Sequence, residues 1–526
     1  MARRQTVSHL SLRWHQQRRG AISMSGIKHI VIAGNGLAVN MTALALQQQL
    51  PPDINLTLIN SAKYADLDCL YGSTSAPDMY AFNLMLNVSE PDLLFNTNST
   101  FCWGNYFDRW AMTPCSWLQG FHLPFPAMRG VGLHHFVTRH GETELASYLI
   151  NTQADKTGKF AHPPEDNRHP LSRAEYGYQF DASALSALYA SKLSSKVTVI
   201  NASIADVITN PAADSTGNIN ITGLQLDNGQ RIEADLYIDC TGPNAKVYSA
   251  LEQNSQDANS QQKSARTLFA IHSTLQRGEA LPTHRRIRAC EFGWQANTYL
   301  RDSIQRLTVC TPEQKSQAID AHGIEASIAM AFSAGHRQQA WTGNCVAIGQ
   351  AASVIEPLTP APLMMLMRDI QRLLELIPVT NSMSAEATEY NRRFIADVEH
   401  TGLFQGALFA LEHLPDSLPE QAYWQQAAQF VQSEKLSRKL TQYHHRGILV
   451  KYDLEPFNEQ DWLILHSGMQ RRPQTYDIVA DQVPRAEMAN QLNGMGNVIQ
   501  QVVSQMPPHG IYLEKLMAYL SQKRNQ

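Results

Sequence analysis

The chain has 526 residues, 43% of them hydrophobic and 17% charged, with 43 basic side chains against 47 acidic ones and a formal charge of −4. That much apolar material supports a large core, in two intergrown domains or one large one. So even a charge balance gives no electrostatic case for nucleic acid, and no run approaches the roughly 18 apolar residues of a membrane span.

Residues 1–26 carry Arg3, Arg4, Arg13, Arg18 and Arg19 with no apolar stretch behind them. This predicts a disordered tail rather than a secretion signal, with Met24 well placed as the true start. Ile27-Lys28-His29-Ile30-Val31-Ile32-Ala33 is a mostly β-branched run of the kind that forms a buried parallel strand. Gly34-Asn35-Gly36 makes a tight turn, Leu37–Leu50 a helix and Leu56–Ile59 a second strand, a βαβ unit of the expected length. Helices are expected near Asp78–Leu86 and Glu90–Phe95, a strand over Phe101–Phe107, and a helix over Asp181–Leu193. Strands follow at Val197–Ala205 and Ile219–Leu226, then a hairpin-type turn at Asp227-Asn228-Gly229 leading to Arg231–Glu233. Ala234–Cys240 reads as a buried strand ending in Thr241-Gly242, and Gln253–Ser264 as a mobile polar surface loop. Cys345–Ile348 is a short apolar strand that runs into Gly349 and a proline-laced loop, before an amphipathic helix over Leu363–Leu376. Beyond Pro378 the pattern is mainly helical, over Ala385–Leu414, Gln421–Gln442, Ala486–Gln505 and Tyr512–Gln522. The domain reading is therefore a tail (1–26), an α/β region (27–378) and a helical C-terminal part (379–526).

Cys69, Cys102, Cys115, Cys240, Cys290, Cys310 and Cys345 are scattered and form no C-x-x-C pair, which predicts free thiols in a reducing cytoplasm. His134-His135 and His444-His445 invite a metal reading, but adjacent histidines diverge on a strand or a helix. They are expected to be surface residues, and no metal is expected. Trp424 is expected to pack between helices, whereas Trp462 is left open between packing and substrate contact.

Gly34-x-Gly36 between strand and helix is the core of a dinucleotide-binding turn, the first glycine permitting the turn and the second the approach of a pyrophosphate. The third position is Val39, and the usual ribose-binding carboxylate is replaced by Asn60, a neutral and weaker acceptor. Ile238-Asp239-Cys240-Thr241-Gly242 and Asn344–Ala352 look like the other two flavin-contacting signatures of glutathione-reductase-type flavoproteins.

From about Ile27 to Asp481 the chain resembles the flavin-dependent tryptophan halogenases. Tyr71-Gly72-Ser73-Thr74-Ser75-Ala76-Pro77 is similar to that family's G-E-[ST]-T-x-P segment, without its Glu, and Ser99–Gly104 to its [AG]-T-F-K-x-G segment. Phe121–Phe125, Tyr176–Asp181, Gly335-His336-Arg337 and Phe457–Leu463 match in order as well. The resemblance implies an FAD-binding, Rossmann-like βαβ domain of the glutathione-reductase type, interleaved with a mixed-sheet substrate region. It also implies reduced FAD from a separate flavin reductase. In the family, reduced FAD and oxygen turn halide into hypohalous acid, which crosses a tunnel to a lysine beside the substrate while a glutamate assists. The cofactor contacts that follow are Gly34, Gly36 and Ala38 at the pyrophosphate and Asn60 at the ribose. Ser73, Thr74, Asp239, Gly242, Gly349, Gln350 and Ala351 fall along the rest of the FAD.

The catalytic positions depart from the pattern. The family lysine falls on Cys102, and no lysine lies between Lys63 and Lys156 to replace it. A thiol offers no cationic hydrogen bond and is itself oxidised by hypohalous acid. The family loop P-L-E-[ST]-[ST]-G matches Pro357-Leu358-Thr359-Pro360-Ala361-Pro362, so its glutamate falls on Thr359, with Glu356 three residues earlier as a substitute. The halide-binding amides become Ala361 and Pro362, and proline has no N–H. W-x-W-x-I-P matches Trp294–Tyr299 with only the first tryptophan kept. The expectation is a flavin-dependent oxidoreductase, cytoplasmic, acting on a small aromatic substrate such as an indole, and not an efficient halogenase. The alternative is a degenerate member that binds a flavin or small molecule. Oligomeric state is left open, a homodimer included.

Overall fold

The computed structural model describes residues 26–61, 68–110, 116–141, 144–210, 219–253, 263–323, 328–380, 382–410, 418, 421–430 and 433–524. The expected N-terminal tail, most of the expected loop at Gln253–Ser264, and Cys115 lie outside the described residues.

A parallel layer is built first. Strands β1 (His29–Gly34), β2 (Asn55–Asn60), β7 (Val197–Asn201), β11 (Leu236–Cys240), β17 (Trp341–Thr342) and β18 (Cys345–Ala347) form one sheet in the order β17-β18-β11-β1-β2-β7. All its neighbours pair in parallel except β17 and β18. Ile30, Val31 and Ile32 are buried on both faces, as the β-branched run requires. The crossover from β1 to β2 is helix α1 (Gly36–Gln49), which packs on α2 (Ala182–Ser191). Gly34 has φ +153, and a Cβ there would lie 2.2 Å from the Cys240 carbonyl oxygen, so only glycine lets the ends of β1 and β11 approach this closely.

The second layer is a larger mixed sheet. Strands β4 (Gly104–Asp108), β5 (Trp117–Gly120), β12 (Lys263–Gln276), β13 (His284–Cys290), β14 (Gly293–Tyr299), β15 (Ser303–Cys310), β16 (Ile328–His336) and β19 (Ser353–Val354) run in the order β19-β16-β12-β15-β14-β13-β4-β5. Two small sheets join β3 (Thr100–Cys102) to β6 (Gly177–Gln179), and β8 (Ile204–Thr209) to β9 (Ile221–Leu226) and β10 (Arg231–Ile232). Helices α3 (Ala361–Glu375), α4 (Ser384–Ala407), α5 (Ala422–Phe430), α6 (Glu434–Arg446), α7 (Glu459–Gly468), α8 (Arg485–Gln505) and α9 (His509–Arg524) complete the chain.

The α/β class and the interleaved mixed sheet agree with the sequence reading, and three of the expected elements divide. The expected strand Phe101–Phe107 is two strands in different sheets. It breaks at Gly104, whose φ is +153 and whose added Cβ would stand 2.2 Å from the Gln119 carbonyl oxygen. The expected strand Val197–Ala205 also divides, because Asp227 accepts the Ser203 N–H at 3.1 Å and draws it into the three-stranded sheet. The expected helix Gln421–Gln442 is two helices, the second restarted by Ser433, whose hydroxyl caps the Leu436 N–H at 3.1 Å.

Candidate active site

The parallel strands end along one edge, and the expected cofactor residues collect there. Gly34 pairs with Asn60 on β2 and with Cys240 on β11. Asn60 donates through Nδ2 to Asn201 at 3.0 Å, which leaves its carbonyl oxygen as the outward acceptor. Gly242 (φ +81) has open space where a side chain would stand. The Asp239 carboxylate is engaged within its own loop, accepting from the Thr241 N–H and hydroxyl at 2.8 and 2.6 Å and from the Val247 and Tyr248 N–H groups at 2.9 and 2.8 Å. Asp239 therefore shapes the loop that carries Gly242. Ala38 and Ala351 are buried, and the Ala351 carbonyl accepts from Arg337 Nε at 2.7 Å.

Two residues of a short turn over Asp68–Tyr71 lie on this edge. The Asp68 carboxylate accepts the Leu37 N–H at 2.7 Å, capping the positive end of α1, where Asn35 supplies no side-chain cap. Tyr71 is buried, with the Gln350 backbone N–H on its oxygen, and burial lifts its phenol well above the usual range. Its hydroxyl is so close to Gly349 that a Cβ there would stand 2.7 Å away. A small gap, with room for little more than a water molecule, remains beside them, lined by Tyr71, Gln350, Ile355, Pro362 and Met365 among others. Cys102 is not on its wall.

The loop after β19 holds a buried charge network. The Glu356 carboxylate pairs with Arg266 and accepts from the Tyr423 hydroxyl and, at 2.5 Å, from Trp294 Nε1. Arg266 also lies over the Tyr423 ring, its carbon 4.9 Å from the centroid. Gln405 Nε2 donates to the Glu356 carbonyl at 2.8 Å and reaches the Thr359 hydroxyl at 3.4 Å. Thr359 is fully buried, and its hydroxyl accepts the Ala361 N–H at 3.3 Å. Of the two amides expected at a halide site, one is thus held by the chain's own threonine and the other is absent in Pro362.

Strand β3 carries Cys102 to the same loop. Its thiol donates to the Gly104 carbonyl at 3.1 Å, and burial pushes it up to about 12, against the pull of the Gly104 and Arg285 amides. It is a neutral thiol at physiological pH. Arg285 on β13 links it to the Thr359 loop. Its backbone N–H faces the Cys102 sulfur, and its guanidinium donates to the Pro357 carbonyl at 2.7 Å. In register beside it on β4, Asn105 donates to the Leu358 carbonyl at 3.1 Å and accepts from the Thr74 hydroxyl at 3.4 Å. Ser73, at φ +54, gives its carbonyl to the Phe180 N–H at 3.0 Å.

With this geometry in view, the comparisons with known proteins are specific. The sequence model of the tryptophan halogenase family matches residues 29–485. The chain belongs to the tryptophan halogenase family. Tryptophan 7-halogenase KtzQ from Kutzneria sp. (strain 744) is 22% identical over 452 residues, 79% of this chain and 81% of that one. BrvH, a flavin-dependent halogenase from Brevundimonas sp. BAL3, superposes with a TM-score of 0.83 at 25% identity, covering 93% of this chain and 99% of its own. A tryptophan halogenase from Shewanella frigidimarina NCIMB 400 gives 0.77 at 19% identity, covering 95% and 99%. Flavin-dependent halogenases use reduced FAD supplied by a separate flavin reductase and act on small aromatic substrates. Among the described residues, no helix is long and apolar enough to cross a membrane.

Sequence reasoning missed Asp68, Arg266, Arg285 and Tyr423 in this halogenase fold, and met Tyr71 only as the first residue of a matched segment. Arg285 left one signal: it occupies an inward position of the alternating run His284–Cys290, in which Ile287 and Ala289 also point inward. The expectation of surface histidines needs correction at His134 and His135. Both are partly buried, their rings 4.0 Å apart, and His134 Nε2 lies 2.9 Å from the Gly447 carbonyl. Trp424 is buried against Trp110 and donates to the Cys290 carbonyl at 2.8 Å. Trp462 is buried beside Phe404, with Lys439 4.5 Å from its ring centroid.

Proposed function

We propose that the chain is an FAD-dependent oxidoreductase that uses reduced flavin and oxygen on a small aromatic substrate and is a poor halogenase. Bound reduced FAD supplies the electrons with which oxygen oxidises a halide or the substrate. In this reading the backbone at Gly34, Gly36 and Ala38 faces the pyrophosphate and the Asn60 carbonyl oxygen meets a ribose hydroxyl. Gly242, Gly349, Gln350 and Ala351 line the remainder, Asp239 holds the Gly242 loop, and Ser73 and Thr74 close the near side. Cys102 and Thr359 stand where the family's lysine and glutamate act. Glu356 does not replace the glutamate, because its carboxylate is fully engaged by Arg266, Tyr423 and Trp294.

The observation that carries the weak-halogenase reading is the Ala361 amide. It is held by Thr359 beside a proline without an N–H, so the loop has no free pair of donors for a halide. The test supplies reduced FAD, oxygen, bromide and a panel of indoles to the wild type and to Cys102→Lys/Thr359→Glu. Consumption of oxygen with oxygenated or unchanged indole is expected from the wild type. Efficient bromination by the wild type would sink this reading.

A second reading is supported by Asp68 and Tyr71, which already occupy the Leu37 amide and the face of Gly349. Under it the chain binds a flavin or small molecule weakly and turns nothing over. Calorimetry with excess FAD separates the two: micromolar or tighter binding favours the enzyme, and no heat at all favours neither flavin reading.

A further inference from the structure

The core beneath the large mixed sheet is filled with oxidisable rings. It holds Trp110, Trp117, Trp294, Trp424 and Trp462, five of the chain's eight tryptophans, together with Tyr423. A filler needs only apolar volume, which Leu or Phe supplies. Each buried indole or phenol also brings an N–H or O–H that has to be given an acceptor. Four adjoining rings here all have one. Trp294 Nε1 and the Tyr423 hydroxyl donate to Glu356, Trp424 Nε1 to the Cys290 carbonyl at 2.8 Å, and Trp110 Nε1 to the Leu408 carbonyl at 2.9 Å.

These four rings also form a continuous series. The Trp110 and Trp424 rings meet edge to face with centroids 5.0 Å apart, and Trp424 meets Tyr423 in the same way at 5.3 Å. Tyr423 and Trp294 are joined through one atom: phenol and indole both donate to Glu356 Oε1, while Arg266 holds Oε2. An indole or phenol that loses an electron becomes a strong acid, and a carboxylate oxygen already on its proton is the group that can take it. The inner end of the series lies beside the Thr359 loop. Trp294 has its ring centroid 5.7 Å from the guanidinium carbon of Arg285, which donates to the Pro357 carbonyl. The outer end hangs on Cys290, a partly exposed residue.

We propose that Trp294, Tyr423, Trp424 and Trp110 form a one-electron relay that carries oxidising equivalents from the Thr359 loop to the Cys290 side of the protein. An oxygen-centred radical, formed when oxygen reduced by the flavin goes uncaptured, takes one electron from Trp294 and leaves as its anion. The indole proton passes to Glu356 Oε1, which leaves a neutral indolyl radical. Tyr423 then gives an electron to that radical. Glu356 returns the indole proton and takes the phenol proton in its place. Trp424, in contact with Trp110, restores the phenol by giving an electron as Glu356 gives the proton back. A thiol reductant in solution refills the Trp424–Trp110 pair, losing an electron and a proton, and two such passes join two thiyl radicals as one disulfide. The relay's use rests on the reading that oxygen is activated beside this loop, but its first test needs neither flavin nor oxygen.

That test drives the relay from outside. A ruthenium photosensitiser is coupled to Glu291→Cys, an exposed position next to Cys290. Flash excitation and oxidative quenching turn the dye into a one-electron oxidant. Transient absorption is expected to show the oxidised dye refilled and a phenoxyl radical formed within the same molecule. Tyr423→Phe keeps the ring and should lose the phenoxyl signal, and Trp424→Phe should lose both the signal and the refilling. No phenoxyl signal in the parent, or the same signal in folded Tyr423→Phe, overturns the proposal. If Trp424→Phe does not fold, the parent and Tyr423→Phe decide. With reduced FAD and oxygen, Tyr423→Phe should accumulate oxygen adducts on Trp294, read by peptide mass, that the wild type avoids when a thiol is present. Equal oxidation of Trp294 in the two overturns the proposal as well. Absence of oxygen consumption beside an intact phenoxyl signal would sink the enzymatic reading and leave the relay standing.

Discussion

The edge proposed for the flavin and the loop after β19 are built in different ways. On the proposed flavin side, an added Cβ would meet the Cys240 carbonyl oxygen at Gly34 and the Tyr71 hydroxyl at Gly349, while Gly242 opens onto empty space. On the proposed substrate side, the resemblance matches Cys102 and Thr359 to a lysine and a glutamate, and Pro362 to a backbone amide. Backbone geometry is fixed by the packing of whole strands, whereas a side chain can be exchanged if its volume and charge are taken up nearby. Beside that loop the buried charges are the Glu356–Arg266 pair and Arg285.

The hardest way to break this comparison is at Glu356. Replacing it with alanine strands Arg266 in the interior and removes the acceptor for Trp294 and Tyr423, for an expected loss of about 3–5 kcal/mol in urea denaturation. A loss below about 1 kcal/mol would mean that the network is not the structural replacement described. Next comes Cys102→Lys. A second cation beside Arg285 is expected to destabilise the fold by roughly 2–4 kcal/mol. Arg285→Met in the same chain should restore part of it, with a coupling of roughly 1–3 kcal/mol in a double-mutant cycle. Strict additivity would show that the two side chains do not share a space.

What the sequence revealed follows the same division. The βαβ unit, the strand at Leu236–Cys240 and the Gly349 turn were legible because each is written in local periodicity and glycine spacing. The break at Gly104 was not, since it arises from close approach to Gln119 on another strand. Cys102 and Thr359 could be matched by motif. Arg285 could not, because it lies 183 positions from Cys102 and meets it where β13 runs beside the β3–β4 segment, with the Trp103 N–H donating to the Thr283 carbonyl at 2.6 Å. Buried ion pairs such as Arg266 with Glu356 have no local signature at all.

A smaller effect sharpens the flavin side through pH. Asp369 on α3 accepts the Gly349 N–H at 3.1 Å, and burial raises its carboxyl to about 6, against the pull of Arg372. The folded chain then binds a proton that the unfolded chain releases near 3.9, so this group's contribution to stability falls as pH rises from about 4 to 6. Asp369→Asn keeps the Gly349 acceptor and removes the titration. The stability of the wild type relative to this variant should drop across that window by at most about 3 kcal/mol. A flat difference would mean that Asp369 is ionised throughout.

The smallest expected change lies at Asp68 and tests whether the dinucleotide edge is open or self-occupied. Its carboxylate sits on the Leu37 amide, at the helix end where a pyrophosphate binds in such folds. Two anions cannot share that amide, so FAD has to displace Asp68 or accept its repulsion. Asp68→Asn can still accept the hydrogen bond but carries no charge. Quenching of flavin fluorescence is therefore expected to give a dissociation constant roughly twofold to fivefold tighter than that of the wild type, the scale of one charge at a helix terminus. The gain should change little with salt, because Asp68 is buried and its charge is poorly screened. Unchanged or weaker binding would mean that the pyrophosphate approaches α1 elsewhere.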